Sequence, residues 1–151
     1  MTIMVAEDDA DDQMMIVRAL KKHGIYHVHT AWDGEELLES LRQSTAVIAE
    51  SASSHPVFIL LDLNMPRKSG REALREIKLD PTLRQIPVVV LTTSASETDI
   101  LESYDVGANA YITKPVKYTE LEEAMGALIH FWLNLATLPG HVGTRSENLS
   151  A

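Results

Sequence analysis

The sequence contains no cysteine among its 151 residues. That absence excludes a disulfide framework, a thiolate zinc site and a cysteine nucleophile. Positive charge is also scarce, because 13 lysines and arginines stand against 22 aspartates and glutamates and leave a formal net charge of −9. Binding to phosphates needs a basic face, so we expect no direct nucleic-acid partner.

Long apolar stretches are missing as well. Nothing in the sequence approaches the run of about 20 apolar residues that a bilayer-spanning helix needs. The apolar start, residues 1–6, leads directly into acidic residues and does not resemble a signal peptide. A chain that is 45% hydrophobic and 23% charged is typical of one folded domain. We therefore expect a soluble cytoplasmic protein without membrane contact.

Short apolar runs alternate with amphipathic segments along the chain, which predicts an α/β fold with a doubly wound parallel sheet. The apolar runs predict five strands, at residues 3–6, 26–31, 56–61, 88–91 and 110–113. The segments between them predict five helices, at residues 10–23, 34–49, 69–79, 96–106 and 117–137. In the first helix, the spacing of Met14, Val17 and Leu20 marks an apolar face.

Two stretches break this alternation. Residues 44–56 lengthen the connection before the third strand, and residues 137–151 are rich in glycine, serine and asparagine. The second stretch predicts a flexible C-terminal tail. No internal repeat is visible, so we expect one domain over residues 1–136.

Polar residues follow four of the predicted strands. In open α/β sheets, functional groups gather just beyond the carboxyl ends of the strands. The residues delivered to that edge are Glu7, Asp8 and Asp9 after the first strand, Asp62 after the third, Thr92 at the end of the fourth and Lys114 after the fifth.

Each of these residues also has an ordinary structural interpretation. The acidic cluster could cap the next helix, with Asp9 as the capping residue, Asp62 could belong to a turn, and Lys114 could be a solvated surface charge. Their joint occurrence indicates a site, because the strands are identified from hydrophobicity alone. Clustered carboxylates favour Mg²⁺, and with a hydroxyl and a lysine they can neutralise a phosphoryl group. A glycine-rich phosphate loop is missing, so a nucleotide is not the expected phosphate source.

With these residues in place, the sequence resembles the receiver domain of two-component response regulators over about residues 1–136. Four motifs carry the resemblance, in matching order and spacing: VAEDD at 5–9, LLDLNMPRKSG at 60–70, VVLTTSA at 89–95 and GANAYITKP at 107–115. The resemblance implies a flavodoxin-like, doubly wound sheet of five parallel strands in the order 2-1-3-4-5, with five helices.

The resemblance also implies the role of each residue. Asp62 is the expected phosphoacceptor, which attacks the phosphohistidine of a sensor histidine kinase, and Thr92 and Lys114 are expected to bind the phosphoryl oxygens. Mg²⁺ is the implied cofactor. Its expected ligands are Glu7 (through water), Asp8, Asp62 and the backbone carbonyl of Asn64.

Two further family features fall on matching positions. Thr92 and Tyr111 correspond to a switch pair, in which the hydroxyl moves toward the phosphoryl group and the aromatic ring fills the space that it leaves. Pro115 matches a proline that follows a cis peptide bond in the family.

The predicted C-terminal helix is extended and apolar on more than one face, which indicates burial or contact with a partner. Its apolar segment, together with the end of the long loop, resembles single-domain regulators that pair with bacterial and cyanobacterial phytochrome kinases and form homodimers through these two segments. The expected interface residues are His55, Pro56, Val57, Phe131, Trp132 and Leu133. The alternative is that the helix end folds back onto its own core.

The expected function is therefore that of a single-domain response regulator that is phosphorylated on Asp62 by a histidine kinase, with a phytochrome-type kinase (a bacteriophytochrome among them) as the expected partner. Its output would be a protein–protein contact. It would catalyse only its own phosphorylation and dephosphorylation, so it is not expected to be an enzyme in the usual sense. The alternative is an unphosphorylated receiver-like adaptor. A haloacid-dehalogenase-type phosphatase would need an aspartate where Asn64 stands, and a flavodoxin-like cofactor binder would need a hydroxyl- and glycine-rich loop where Glu7 and Asp8 stand.

Overall fold

The computed structural model describes residues 2–47 and 56–139, and its centre is a five-stranded parallel sheet in the order β2-β1-β3-β4-β5. The strands are β1 (Ile3–Ala6), β2 (Val28–Ala31), β3 (Ile59–Leu61), β4 (Val88–Thr92) and β5 (Ala110–Thr113). The helices are α1 (Ala10–Lys22), α2 (Gly34–Val47), α3 (Gly70–Leu79), α4 (Glu97–Val106) and α5 (Tyr118–Ile129), and a π-helical segment (His130–Leu135) continues α5. The fold class, strand order and five helices confirm the prediction.

The sheet is buried on both faces because successive side chains of a strand point to opposite sides. Met4 and Ala6 pack with residues of α2 and α3, whereas Ile3 and Val5 pack with residues of α1 and α5. Two hydrophobic layers therefore hold the strands in register, and the carboxyl ends of the strands share one edge of the sheet.

Local sequence signals start and stop the helices. Asp9, Ser69 and Ser96 each accept a hydrogen bond from the backbone N–H three residues later, at the first turns of α1, α3 and α4. The role of Asp9 as a helix cap is therefore confirmed. Gly107 ends α4 with a φ of 125°, a conformation that favours glycine.

The structure corrects the predicted rotation of α1. Its buried residues are Gln13, Ile16, Ala19 and Leu20, whereas Met14 is 63% exposed and Val17 is half-buried. The spacing of apolar residues did not identify the buried face of α1 because a polar residue, Gln13, lies on that face. Strands β2 and β3 are also shorter than predicted, since ladder pairing begins only at Val28 and Ile59.

The prediction of a cis bond before Pro115 is wrong for this structure. Throughout residues 2–47 and 56–139 no peptide bond is cis. The trans isomer of an X–Pro bond is intrinsically favoured by about 0.5–1 kcal/mol.

Candidate functional site

Four strands deliver their polar residues to one edge of the sheet, as predicted. Glu7 follows β1, Asp62 follows β3, Thr92 ends β4 and Lys114 follows β5. Ala6 and Leu61 are paired in the ladder, which places Glu7 beside Asp62. Glu7, Asp62 and Thr92 are all buried, so their polar atoms face a small, largely dehydrated space.

Three carboxylates converge in this space. Oxygens of Glu7, Asp8 and Asp62 all lie within 4.8 Å of one another, and Asp8 is the exposed member. An all-oxygen set with one exposed carboxylate fits a hard divalent cation such as Mg²⁺, which keeps several water ligands. Asn64 donates its backbone N–H to Asp62 Oδ1 over 3.4 Å, so its backbone lies against this cluster.

Lys114 lies against three carboxylates. Its Nζ contacts Glu7 Oε2, lies 3.1 Å from Asp12 Oδ2 and lies 3.5 Å from Asp62 Oδ2. Burial alone would lower the pKa of Lys114, but the hydrogen bond to Glu7 and the charges of Glu7 and Asp62 raise the pKa above its usual value. Lys114 is therefore charged and ready to accept another anion.

Glu7 is the most perturbed acid of the site. Burial raises the pKa of Glu7 to about 7, and the nearby charge of Asp62 acts in the same direction, whereas the hydrogen bond with Lys114 opposes both. The backbone N–H of Asp9 donates to Glu7 Oε1 over 3.1 Å and holds the carboxylate in place. A cation bound at this carboxylate would compete directly with a proton.

Thr92 offers a buried hydroxyl without a partner. The residue has no exposed surface, and its Oγ1 finds no hydrogen-bond partner among the described residues. Buried polar atoms are satisfied in most structures, so an unsatisfied one marks a place where a ligand atom is expected. A hydroxyl at the end of β4 can donate to an oxygen bound on Asp62.

Tyr111 lies on the strand next to Thr92. It pairs with Val90 in the ladder, so its side chain points to the same face as that of Thr92, two residues further along β4. Its hydroxyl donates to the carbonyl of Ser94 over 2.8 Å. The ring is half-buried and packs against the core on that face.

The loop between β3 and α3 is held by a second set of contacts that the sequence did not reveal. Arg67 has a φ of 60° and pairs with the buried Asp33, with 2.7 Å between Arg67 Nε and Asp33 Oδ2. Gly34 N–H donates to the carbonyl of Lys68 over 2.9 Å. These contacts join the loops after β2 and β3, and so fix the segment that begins at Asp62.

Two polar residues of α1 were also missed. Asp12 contacts Lys114, and the buried side chain of Gln13 donates to the backbone carbonyl of Glu7 over 3.1 Å. The spacing of Gln13, Ile16 and Leu20 indicates the face of α1 that is buried. The apolar residue Met14 instead favours a different face, so the position of Gln13 was not recognised.

The predicted interface residues are not brought together as one exposed surface. His55 lies outside the described residues, and Pro56 and Val57 are buried against their own chain. Trp132 and Leu133 are half-buried against their own core. Phe131 is 49% exposed and makes an edge-to-face contact with Trp132, with 4.9 Å between ring centroids.

The predicted tail lies largely outside the description. Residues 140–151 are not among the described residues, whereas Leu138 packs against the core on the side of α1 and α5. No helix within residues 2–47 and 56–139 is long and apolar enough to cross a membrane.

Comparison with known proteins decides the family. Residues 3–126 match the family model of the response regulator receiver domain. The chain belongs to this family. Receiver domains are signalling modules that bind Mg²⁺ or Mn²⁺ at an acidic pocket, and the carboxylates of Glu7, Asp8 and Asp62 form such a pocket in this receiver domain.

Several relatives span nearly the whole receiver domain. Response regulator Rcp1 of Synechocystis sp. is 40% identical over 138 residues, which cover 91% of this chain and 92% of Rcp1. The crystal structure of the phosphorylated cyanobacterial phytochrome response regulator RcpA has a TM-score of 0.81 and 46% identity, and covers 91% of this chain and 97% of RcpA. Response regulator RPA3017, in red light signaling of R. palustris, has a TM-score of 0.79 and 36% identity, and covers 91% and 97% of the two chains.

Proposed function

We propose that this receiver domain accepts a phosphoryl group on Asp62 from the phosphohistidine of a sensor histidine kinase. One observation carries the proposal: the buried Asp62 carboxylate belongs to the carboxylate pocket and lies 3.5 Å from the Lys114 ammonium, with an unpartnered Thr92 hydroxyl on the adjacent strand. Phosphoryl transfer needs positioning and charge neutralisation above all, and these groups provide both.

The proposed reaction forms an acyl phosphate. An oxygen of Asp62 attacks phosphorus, the phosphorus–nitrogen bond of phosphohistidine breaks, and its electron pair remains on the imidazole nitrogen. Asp8, Asp62, the carbonyl of Asn64 and, through water, Glu7 would hold Mg²⁺, which would neutralise the negative charge on the phosphoryl oxygens. Lys114 is charged and already 3.5 Å from Asp62, so it can pair with a phosphoryl oxygen.

Thr92 and Tyr111 would carry the signal away from the site. If the Thr92 hydroxyl moves to a phosphoryl oxygen, the face shared with Tyr111 changes shape, and the Tyr111 hydroxyl can leave the carbonyl of Ser94. That movement would remodel the surface of α4, β5 and α5, which supports an output through protein contact. The domain would thus catalyse only its own modification.

The direct test is intact mass after incubation with acetyl phosphate and Mg²⁺. We expect a gain of one phosphoryl group that disappears in the Asp62→Asn variant and when EDTA replaces Mg²⁺. A folded wild-type protein that gains no mass from acetyl phosphate or from a phosphorylated kinase would contradict the proposal and favour an unphosphorylated adaptor.

We infer that the phosphodonor is a phytochrome-type kinase. Support comes from RcpA and Rcp1, which match over at least nine-tenths of this chain, and RcpA is a phytochrome response regulator. A phosphotransfer assay should show a preference of about tenfold or more in kcat/KM for an autophosphorylated phytochrome-type kinase over a sensor kinase with another input domain. Equal rates with both kinases would count against this pairing.

We further propose that two copies associate through the exposed apolar side chains that follow α5. Phe131 and Leu135 are 49% and 60% exposed, whereas Trp132 and Leu133 of the same segment pack against their own core. The Phe131→Ser variant should sediment closer to the monomer than the wild type. Leu79→Ser is the matched control, since Leu79 is a 75% exposed leucine on α3. Identical sedimentation of all three proteins would refute association through Phe131, and sedimentation of the wild type as a monomer would refute the dimer.

A further inference from the structure

A polar network joins the two loops that leave the site. Arg71, in the first turn of α3, donates from Nη1 to Asn64 Oδ1 over 2.9 Å. The same guanidinium donates from Nη2 to Asp99 Oδ1, also over 2.9 Å. The other oxygen of Asp99 accepts a hydrogen bond of 2.6 Å from Ser94 Oγ. One arginine thus connects the loop after β3 with the loop after β4.

The two ends of this network flank the phosphoacceptor. Asn64 is the second residue after Asp62, and Ser94 is the second residue after Thr92. Because β3 and β4 are neighbours in the sheet, these two residues stand on either side of the opening above Asp62. Asn64 is exposed and Ser94 is half-buried, so both border the solvent from which a water molecule must come.

We propose that Arg71 is a positioning residue that lengthens the lifetime of phosphorylated Asp62. The inference rests on the proposed function. In the hydrolysis step, a water oxygen attacks phosphorus, the bond between phosphorus and the Asp62 oxygen breaks, and its electron pair returns to the carboxylate. The other product is dihydrogen phosphate, which carries both protons of the water molecule.

Arg71 acts on this step because it fixes the position of Asn64, and not because it adds positive charge. The hydrogen bond from Ser94 and the pairing with Arg71 keep the pKa of Asp99 below its usual value, so Asp99 is ionised and neutralises the guanidinium. The planar guanidinium binds two partners in fixed directions, which a flexible amine cannot reproduce. Without Arg71, Asn64 is free to swing away from the opening, and water gains access to phosphorus.

The test measures the decay of the acyl phosphate. Each protein is phosphorylated with acetyl phosphate and Mg²⁺, the donor is removed by desalting, and the phosphorylated fraction is followed by intact mass. For Arg71→Gln we expect hydrolysis about 3- to 10-fold faster than in the wild type, with the rate of phosphorylation changed less than about twofold. Arg75→Gln, which removes an exposed arginine one turn later in α3, should decay at the wild-type rate.

Two more variants separate positioning from general damage. Arg71→Lys can hold one partner but not both, so its decay rate should be intermediate, and this variant carries the test if Arg71→Gln fails to fold. Asp99→Asn should accelerate decay, and the double variant with Arg71→Gln should decay no faster than Arg71→Gln alone, because the two residues act as one unit.

The outcomes are distinct. An unchanged or slower decay in a folded Arg71→Gln or Arg71→Lys variant overturns the inference, as does an equal acceleration in Arg75→Gln. If the wild-type protein takes no phosphoryl group, the proposed function fails and the inference fails with it, whereas normal phosphorylation with unaltered decay removes the inference alone.

Discussion

Lys114 and Glu7 form an ion pair although two strands separate β5 from β1 in the sheet. The lysine side chain extends along the carboxyl edge, past the end of β4, and also lies 3.5 Å from Asp62. The two outer parts of the site are therefore tied together across the phosphoacceptor. A cation that binds Glu7 has to share this carboxylate with Lys114.

Replacing Lys114 by Gln should separate cation binding from phosphorylation. We expect the rate of phosphorylation by acetyl phosphate to fall at least about tenfold, because the cation that would face the phosphoryl oxygens is lost. Mg²⁺ should bind at least as tightly as in the wild type, because a competing positive charge is gone. Isothermal titration and intact mass measure the two effects, and Lys117→Gln, an exposed lysine three residues later, is the control. Weaker Mg²⁺ binding in Lys114→Gln would contradict this interpretation.

Mg²⁺ affinity should rise with pH. With a pKa of about 7, Glu7 is largely protonated at pH 6 and largely ionised at pH 8, so we expect affinity to be about tenfold lower at pH 6. The pKa in the folded state lies above the ordinary glutamate value of 4.5, so ionisation of Glu7 destabilises the metal-free fold progressively from about pH 4.5 to about pH 7. Mg²⁺ titrations across this range check the affinity, and urea denaturation without metal checks the stability. A Glu7→Gln variant with the wild-type pH dependence in both measurements would refute the assignment.

Thr92→Ala should leave the fold intact and abolish the response of Tyr111 to phosphorylation. The substitution removes a buried hydroxyl that has no described partner, which stabilises the fold, and a buried methyl group, which destabilises it, so the net change in the free energy of unfolding should be less than about 1 kcal/mol. Phosphorylation should persist, but the NMR signals of Tyr111 that shift on phosphorylation of the wild type should remain unshifted. Thr93→Ala, at the exposed neighbouring threonine, should behave as the wild type. A full Tyr111 response in Thr92→Ala would exclude this coupling.

Gly70→Ala should destabilise the loop that carries Asp62. A Cβ at position 70 would lie 1.9 Å from the carbonyl oxygen of Asp62, which is backbone and cannot move aside cheaply. We expect a loss of more than about 2 kcal/mol in the free energy of unfolding, together with slower phosphorylation. Gly24→Ala, where a Cβ would meet open space and only the positive φ is strained, should cost about 1 kcal/mol. Urea denaturation measures the free energy of unfolding of the two variants. Equal losses would contradict a steric clash at position 70.

The sequence predicts the residues at the strand ends better than it predicts their neighbours on helices. Glu7, Asp62, Thr92 and Lys114 follow apolar runs, and parallel strands bring such positions to one edge whatever their exact register. The placement of Asp12 and Gln13 near the site depends instead on how α1 is rotated about its axis. The apolar spacing that includes Met14 predicts a different rotation from the one observed. A polar residue on a buried face weakens the periodic signal from which rotation is deduced.

Ion pairs between residues distant in the sequence were beyond prediction for a different reason. The pairing of Arg67 with Asp33 joins residues 34 positions apart, and that of Arg71 with Asp99 joins residues 28 positions apart. Each involves residue types that are ordinary on a protein surface. Only the three-dimensional arrangement of the loops and helix starts that carry these residues shows that they are partners.

The solitary hydroxyl of Thr92 has an energetic consequence for the resting protein. An unsatisfied buried polar group raises the free energy of the conformation that contains it by about 1–3 kcal/mol. The conformation without a phosphoryl group is thus less stable than its packing alone would make it. The free-energy difference between it and any conformation in which the Thr92 hydroxyl has a hydrogen-bond partner is correspondingly smaller. A smaller free-energy difference between the two conformations lets a weak stimulus produce a large shift in population.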